Sequence, residues 1–84
     1  MASTTEFIIH VLRDKMQMPT DGVSPRTPLG TGGLDLESIG FTELAMHCEE
    51  GLGVAIPDDE LGLLPGMTVQ GLAGYLDARA AAGV

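Results

Sequence analysis

The sequence predicts an all-α fold: a small four-helix bundle with three longer helices, one short third helix and a long first loop. Apolar residues return at three- and four-residue spacing in three separate segments, the mark of helices with one buried face. Only Phe7, Phe41 and Tyr75 are aromatic in a chain that is 44% hydrophobic. The core must therefore be aliphatic and methionine-based, which suits helices better than a β-sandwich. Eighty-four residues make one domain, 1–84, with a modest core and no room for an enzyme's deep, walled cleft.

Ser3-Thr4-Thr5-Glu6 reads as a capping box, in which the serine and Glu6 satisfy each other's orphan amides, so the first helix starts near Ser3. Phe7, Ile8, Val11 and Leu12 lay one apolar stripe, Met16 and Met18 extend it, and Pro19 stops the helix. From Pro19 to Gly33 the chain is rich in Pro, Gly, Thr and Ser and has no period. So long a connection is uncommon in a compact domain. Either it hides a helical turn or Val23 and Leu29 pin it to the core.

The second helix runs from about Ser38 to Leu52, with Phe41, Leu44, Ala45, Cys48 and Leu52 on one face and Gly51 and Gly53 ending it. Val54-Ala55-Ile56 runs extended into Pro57. Asp58 or Asp59 then caps a short helix through Glu60-Leu61, which the Gly and Pro residues from Gly62 to Gly66 keep from continuing. Thr68 caps the last helix, whose inward stripe is Val69, Leu72 and Leu76 with Tyr75 beside it; Gly71 and Gly74 weaken it, so packing must hold it together. Residues 81–84, beyond Ala80, read as a frayed tail. Met16, Met18, Met46 and Met67 read as fillers of core gaps.

Charge is unevenly placed. Residues 1–33 balance Glu6, Asp14 and Asp21 against Arg13, Lys15 and Arg26, whereas 34–84 carry nine acids against Arg79 alone, the whole net charge of −8. Such a surface repels nucleic acid and anionic membranes and attracts basic protein surfaces. It also keeps a small protein soluble, and it favours a monomer. No run is long enough to span a bilayer, and the N-terminus lacks a signal pattern. The lone Cys48 cannot form an intrachain disulfide, in keeping with a cytoplasmic location.

The acidic half contains the one constellation with a chemical reading. Leu34-Asp35-Leu36-Glu37-Ser38-Ile39 leads into the second helix, Glu43-Leu44 follows five residues after Ser38, and Ile56-Pro57-Asp58 closes the far side, with Pro57 nineteen residues on. Thr68-Val69-Gln70 and Tyr75-Leu76 fall in register behind them. This layout resembles the acyl carrier protein family, of the stand-alone type. The resemblance implies a non-enzymatic carrier whose Ser38 receives 4′-phosphopantetheine from coenzyme A and whose arm holds acyl cargo as a thioester for fatty-acid, polyketide or lipopeptide assembly. It implies as partners a phosphopantetheinyl transferase, an acyl-loading enzyme, and synthase, transferase or condensation enzymes with basic docking surfaces. Glu37, Ile39, Glu43, Glu49, Glu50, Asp58, Asp59 and Glu60 match the family's docking face, led by Glu37 and Glu43, which flank Ser38; for the other acids a solvated helix face fits equally well. The family also implies that the first loop lies across the bundle, and Ala45, Cys48 and Leu64 could line a space for an acyl chain.

The residues agree with this division of labour. A serine hydroxyl is a weak nucleophile without a base, and His47 lies more than two helical turns from Ser38, so neither His47 nor His10 makes a hydrolase of it. A helix start suits a phosphodiester, because its free amides and dipole favour negative charge. Taken alone, Ser38 would be read as an N-cap. Glu37 and Ile39 depart from the family's usual Asp and Leu by one methylene and one branch point. The Gly-Gly-x-Ser arrangement of peptidyl carriers is displaced, with Gly33 five residues before Ser38, which makes an aminoacyl or peptidyl carrier the second reading. An acidic helical interaction module without cargo is the third. Gly30-Thr31-Gly32-Gly33 lacks the lysine of a P-loop and the strand of a dinucleotide turn. Ile39 and Met46 occupy two positions where a calcium loop from Asp35 needs oxygen, and the two histidines lack metal-ligand spacing.

Overall fold

Ser3 opens the first helix as expected: its hydroxyl accepts the Glu6 amide at 3.1 Å, the serine half of the capping box. In this computed structural model, which describes residues 3–82, helix α1 spans Thr4–His10 and passes directly into a π turn, Val11–Lys15. Ile8, Val11 and Leu12 are buried. The helix ends four residues before Pro19. Gln17 takes a left-handed φ of 55°, which turns the chain so that the Met16 and Met18 amides reach back to the Val11 and Leu12 carbonyls at 2.9 and 2.8 Å. Met16 and Met18 still lie against the core.

Helix α2 spans Ser38–Leu52, as the periodicity predicts, and buries Phe41, Leu44, Ala45 and Cys48. Leu52 is a correction: it stands 36% exposed, just before Gly53 turns the chain at φ 71°. Gly51 does not end the helix either; it lies within it, where a Cβ would collide with the Phe7 ring, so the glycine lets α1 approach. Met46, read as a gap-filler, is half exposed.

After Gly53, Val54 and Ile56 turn inward. The short third helix is a 3₁₀ helix over Asp58–Gly66, longer than expected. Its N-cap is Pro57, and neither Asp58 nor Asp59 caps it. Gly62, Pro65 and Gly66 do not break it; Leu64, fully buried, ties the segment to the core. Helix α3 spans Val69–Ala82; Thr68 caps it by accepting the Gly71 amide at 3.0 Å, and Val69, Leu72, Ala73 and Leu76 are buried. It continues past Ala80 to Ala82, so only residues 83 and 84 of the expected frayed tail lie outside the described residues.

The first loop is pinned, not helical. Leu29 is fully buried and Val23 lies against the core. Backbone bonds then sew the loop to the start of α3: Leu29 to the Met67 carbonyl at 2.9 Å, Val69 to Thr27 at 3.0 Å and Gln70 to Pro25 at 2.7 Å, around one isolated antiparallel bridge, Pro28 with Thr68. The described residues form no strand.

Candidate functional site

The loop's pinning sets the start of α2. Between Pro28 and Leu36 the backbone folds on itself: Gly33 and Asp35 donate to the Gly30 carbonyl, Leu34 to Pro28 and Leu36 to Leu29. Gly30 sits so close to Pro65 that a Cβ would lie 2.8 Å from its carbonyl oxygen, and a Cβ at Gly33 would overlap Pro28. Asp35 adopts φ 53°, and its carboxylate accepts the Gly32 amide at 3.2 Å. This turn delivers Glu37 in an extended conformation, and α2 begins at the next residue.

Ser38 is therefore the first helical residue, not the N-cap. Glu37 holds the cap position and makes no side-chain cap bond. The first bond of the helix runs from the Phe41 amide to the Glu37 carbonyl at 2.9 Å, which leaves the amides of residues 38–40 without intrahelical acceptors. Ser38 is exposed, and among the described residues its hydroxyl makes no hydrogen bond. Thr42 donates to the Ser38 carbonyl at 3.0 Å, tying down its backbone without engaging its side chain.

Beside Ser38 lies a groove of about 200 Å³ lined by Ser38, Phe41 and Thr42 of α2 and by Leu61, Gly62 and Pro65 of the 3₁₀ helix. Ala45, Cys48 and Leu64, the expected lining of a chain-holding space, are buried in the core and do not line this groove. Burial pushes the Cys48 thiol up to about 11.

The acidic residues are placed as follows. Glu37, Glu43, Glu49, Glu50, Asp58 and Asp59 are exposed, and Ile39 stands 74% exposed beside Ser38. Ile39, Glu43, Met46 and Glu50 fall at i, i+4, i+7 and i+11, one outward stripe opposite the buried face. Glu60 differs from the rest. Its carboxylate accepts hydrogen bonds from the Tyr75 hydroxyl and from Arg79, the latter at 3.4 Å, so it is engaged within the fold. Burial, then the Glu60 contact, pushes the Tyr75 phenol above its ordinary range. On α1 the charges pair with one another: His10 lies 2.7 Å from Asp14, whose carboxyl is held below its usual range chiefly by the Arg13 hydrogen bond.

Sequence reasoning missed the groove residues Leu61, Gly62 and Pro65, because Gly and Pro there argued against a helix. The Tyr75–Arg79 spacing of four offered a signal for one shared helix face. Their meeting with Glu60 is a tertiary fact.

The family described as the phosphopantetheine attachment site matches residues 6–76. No curated protein matches the chain.

Proposed function

This chain belongs to the phosphopantetheine-attachment family, whose members carry that group covalently, and from this premise we propose that Ser38 is its attachment residue. The observation that carries the proposal is an exposed serine at the first position of α2 whose hydroxyl is not spent on capping. The group fits there. The free amides of the first turn and the positive end of the helix dipole favour a phosphodiester's charge. The exposed hydroxyl can reach an incoming phosphorus, and Gly40 leaves room for the Leu36 side chain, which a Cβ there would crowd at 3.2 Å. When bound, the arm supplies a thiol that holds cargo as a thioester. Among the described residues no base with an orienting partner is hydrogen-bonded to the Ser38 hydroxyl, so the modifying transferase must activate it. Cys48, fully buried, is kept away from the arm's thiol.

We read the protein as a non-enzymatic, monomeric, cytoplasmic acyl carrier serving fatty-acid, polyketide or lipopeptide assembly. Gly32 and Gly33 bear on the choice between acyl and peptidyl carriers. Gly32 holds φ 92° and Gly33 lies on Pro28, so local packing accounts for both without a peptidyl-carrier signature. The docking surface is the stripe Ile39, Glu43, Met46 and Glu50, bordered by Glu37, Glu49, Asp58 and Asp59. Its apolar members contribute contact, and its acids steer basic loading, transferase and condensation partners while letting them leave. The test is intact-mass spectrometry after incubation with coenzyme A, magnesium and a broad-specificity phosphopantetheinyl transferase. One phosphopantetheine is expected on Ser38 and none on Ser38→Ala. An adduct that persists in Ser38→Ala overturns the assignment.

A further inference from the structure

We infer that Glu60, Tyr75 and Arg79 form a pin through which α3 fixes the wall of the groove beside Ser38, making Tyr75 and Arg79 positioning residues for the transferase that modifies Ser38. The wall is the 3₁₀ helix, and its own construction is weak. Nine residues is long for a 3₁₀ run, whose hydrogen bonds are poorer than those of an α-helix. Pro57 gives it no side-chain cap, Pro65 removes a donor, and Leu63 stands 55% exposed. Its only fully buried side chain is Leu64. The far end is also held, by Gly30 against Pro65 and by the Leu29 amide on the Met67 carbonyl, while Leu61 packs only partly on the core; the first turn needs a hold of its own, four residues before Leu64.

Glu60 is that hold. The Tyr75 hydroxyl and the Arg79 guanidinium converge on the same carboxylate oxygen, Oε1. Arg79 also donates through Nε to the Ala55 carbonyl at 3.2 Å and lies 5.7 Å from the centre of the Tyr75 ring. One guanidinium thus ties α3 to both the segment entering the 3₁₀ helix and its first turn, and the ring beneath orients it. Leu61 and Gly62, which line the groove, lie between the two anchors, Glu60 and Leu64. The groove's shape is thereby set from α3, which contributes no lining residue of its own.

The proposal rests on the Ser38 reading only for its functional consequence, so its two halves are tested separately. Amide hydrogen exchange is measured on the unmodified chain for wild type, Tyr75→Phe and Arg79→Gln. Each variant is expected to exchange at least about tenfold faster across 57–67, Tyr75→Phe losing one charge-assisted hydrogen bond and Arg79→Gln the two its guanidinium makes, with α1 and α2 unchanged. An increase spread equally over all helices, or none at 57–67, overturns the pin. Steady-state transfer of phosphopantetheine to the same proteins reads the consequence. KM should rise by about three- to tenfold with kcat unchanged, because a loose wall must be ordered on docking. Unchanged KM with faster local exchange overturns the positioning role. Absence of any adduct on wild type overturns the Ser38 reading instead and leaves the exchange result to decide the pin.

Discussion

Raising the pH should remove stability through Cys48, and replacing that residue should abolish this loss. Cys48 is fully buried, and burial alone lifts its thiol from an ordinary 9.0 to about 11. Below pH 9 the thiol is neutral in both folded and unfolded chains and contributes nothing to the pH dependence. Above it the unfolded chain releases the proton while the folded chain keeps it, so the folded state binds more protons and stability falls as pH rises. At 1.36 kcal/mol per pH unit, about 2 kcal/mol is lost by pH 11. For a domain of this size the total is about 4–13 kcal/mol, so the loss is a large share. Cys48→Ala should cost about 1 kcal/mol near neutrality, by leaving a small void, and should lack this particular slope. Urea unfolding followed by circular dichroism, with reductant, between about pH 8 and pH 11 gives the difference between the two proteins. The Tyr75 phenol is also raised in the fold and destabilises in the same direction as pH climbs, but it is common to both and cancels. Wild type should start above Cys48→Ala and end below it. A constant gap across the range would refute the argument from burial.

Leu29→Ala should cost about 2–5 kcal/mol in urea unfolding, as much as truncating a helical core leucine, because this loop residue is fully buried; a loss under about 0.5 kcal/mol, typical of surface sites, would show that the loop is not part of the core. Gly53→Ala should lower stability by about 1–2 kcal/mol, since φ 71° strains a residue with a Cβ and no neighbour crowds the site to confuse the result. Glu43→Lys should slow transferase association and flatten its salt dependence without changing the melting temperature by more than a few degrees, measured by stopped flow at two ionic strengths. An unaltered salt dependence would remove Glu43 from the docking surface.

Local sequence marks where α1, α2 and α3 begin and most of the residues they bury. Ser3 and Thr68 cap as their chemistry dictates, and α2 keeps its expected bounds and buried face apart from Leu52, because those rules act over one or two turns. It also marked Ser38, whose neighbours within six residues and the Ile56-Pro57-Asp58 segment carry the family's pattern. What it could not decide is long-range. Composition left open whether the first loop winds or is pinned by Leu29, and nothing local tells that Gly51 serves the Phe7 ring or that a segment holding Gly62 and Pro65 winds as a 3₁₀ helix around buried Leu64. The family resemblance places Glu60 with Asp58 and Asp59 on the docking face. Tertiary structure turns it toward Tyr75 and Arg79, fifteen and nineteen residues away. Periodicity fixes the face a residue occupies on its own element, whereas the partner that meets that face is chosen only when the elements pack.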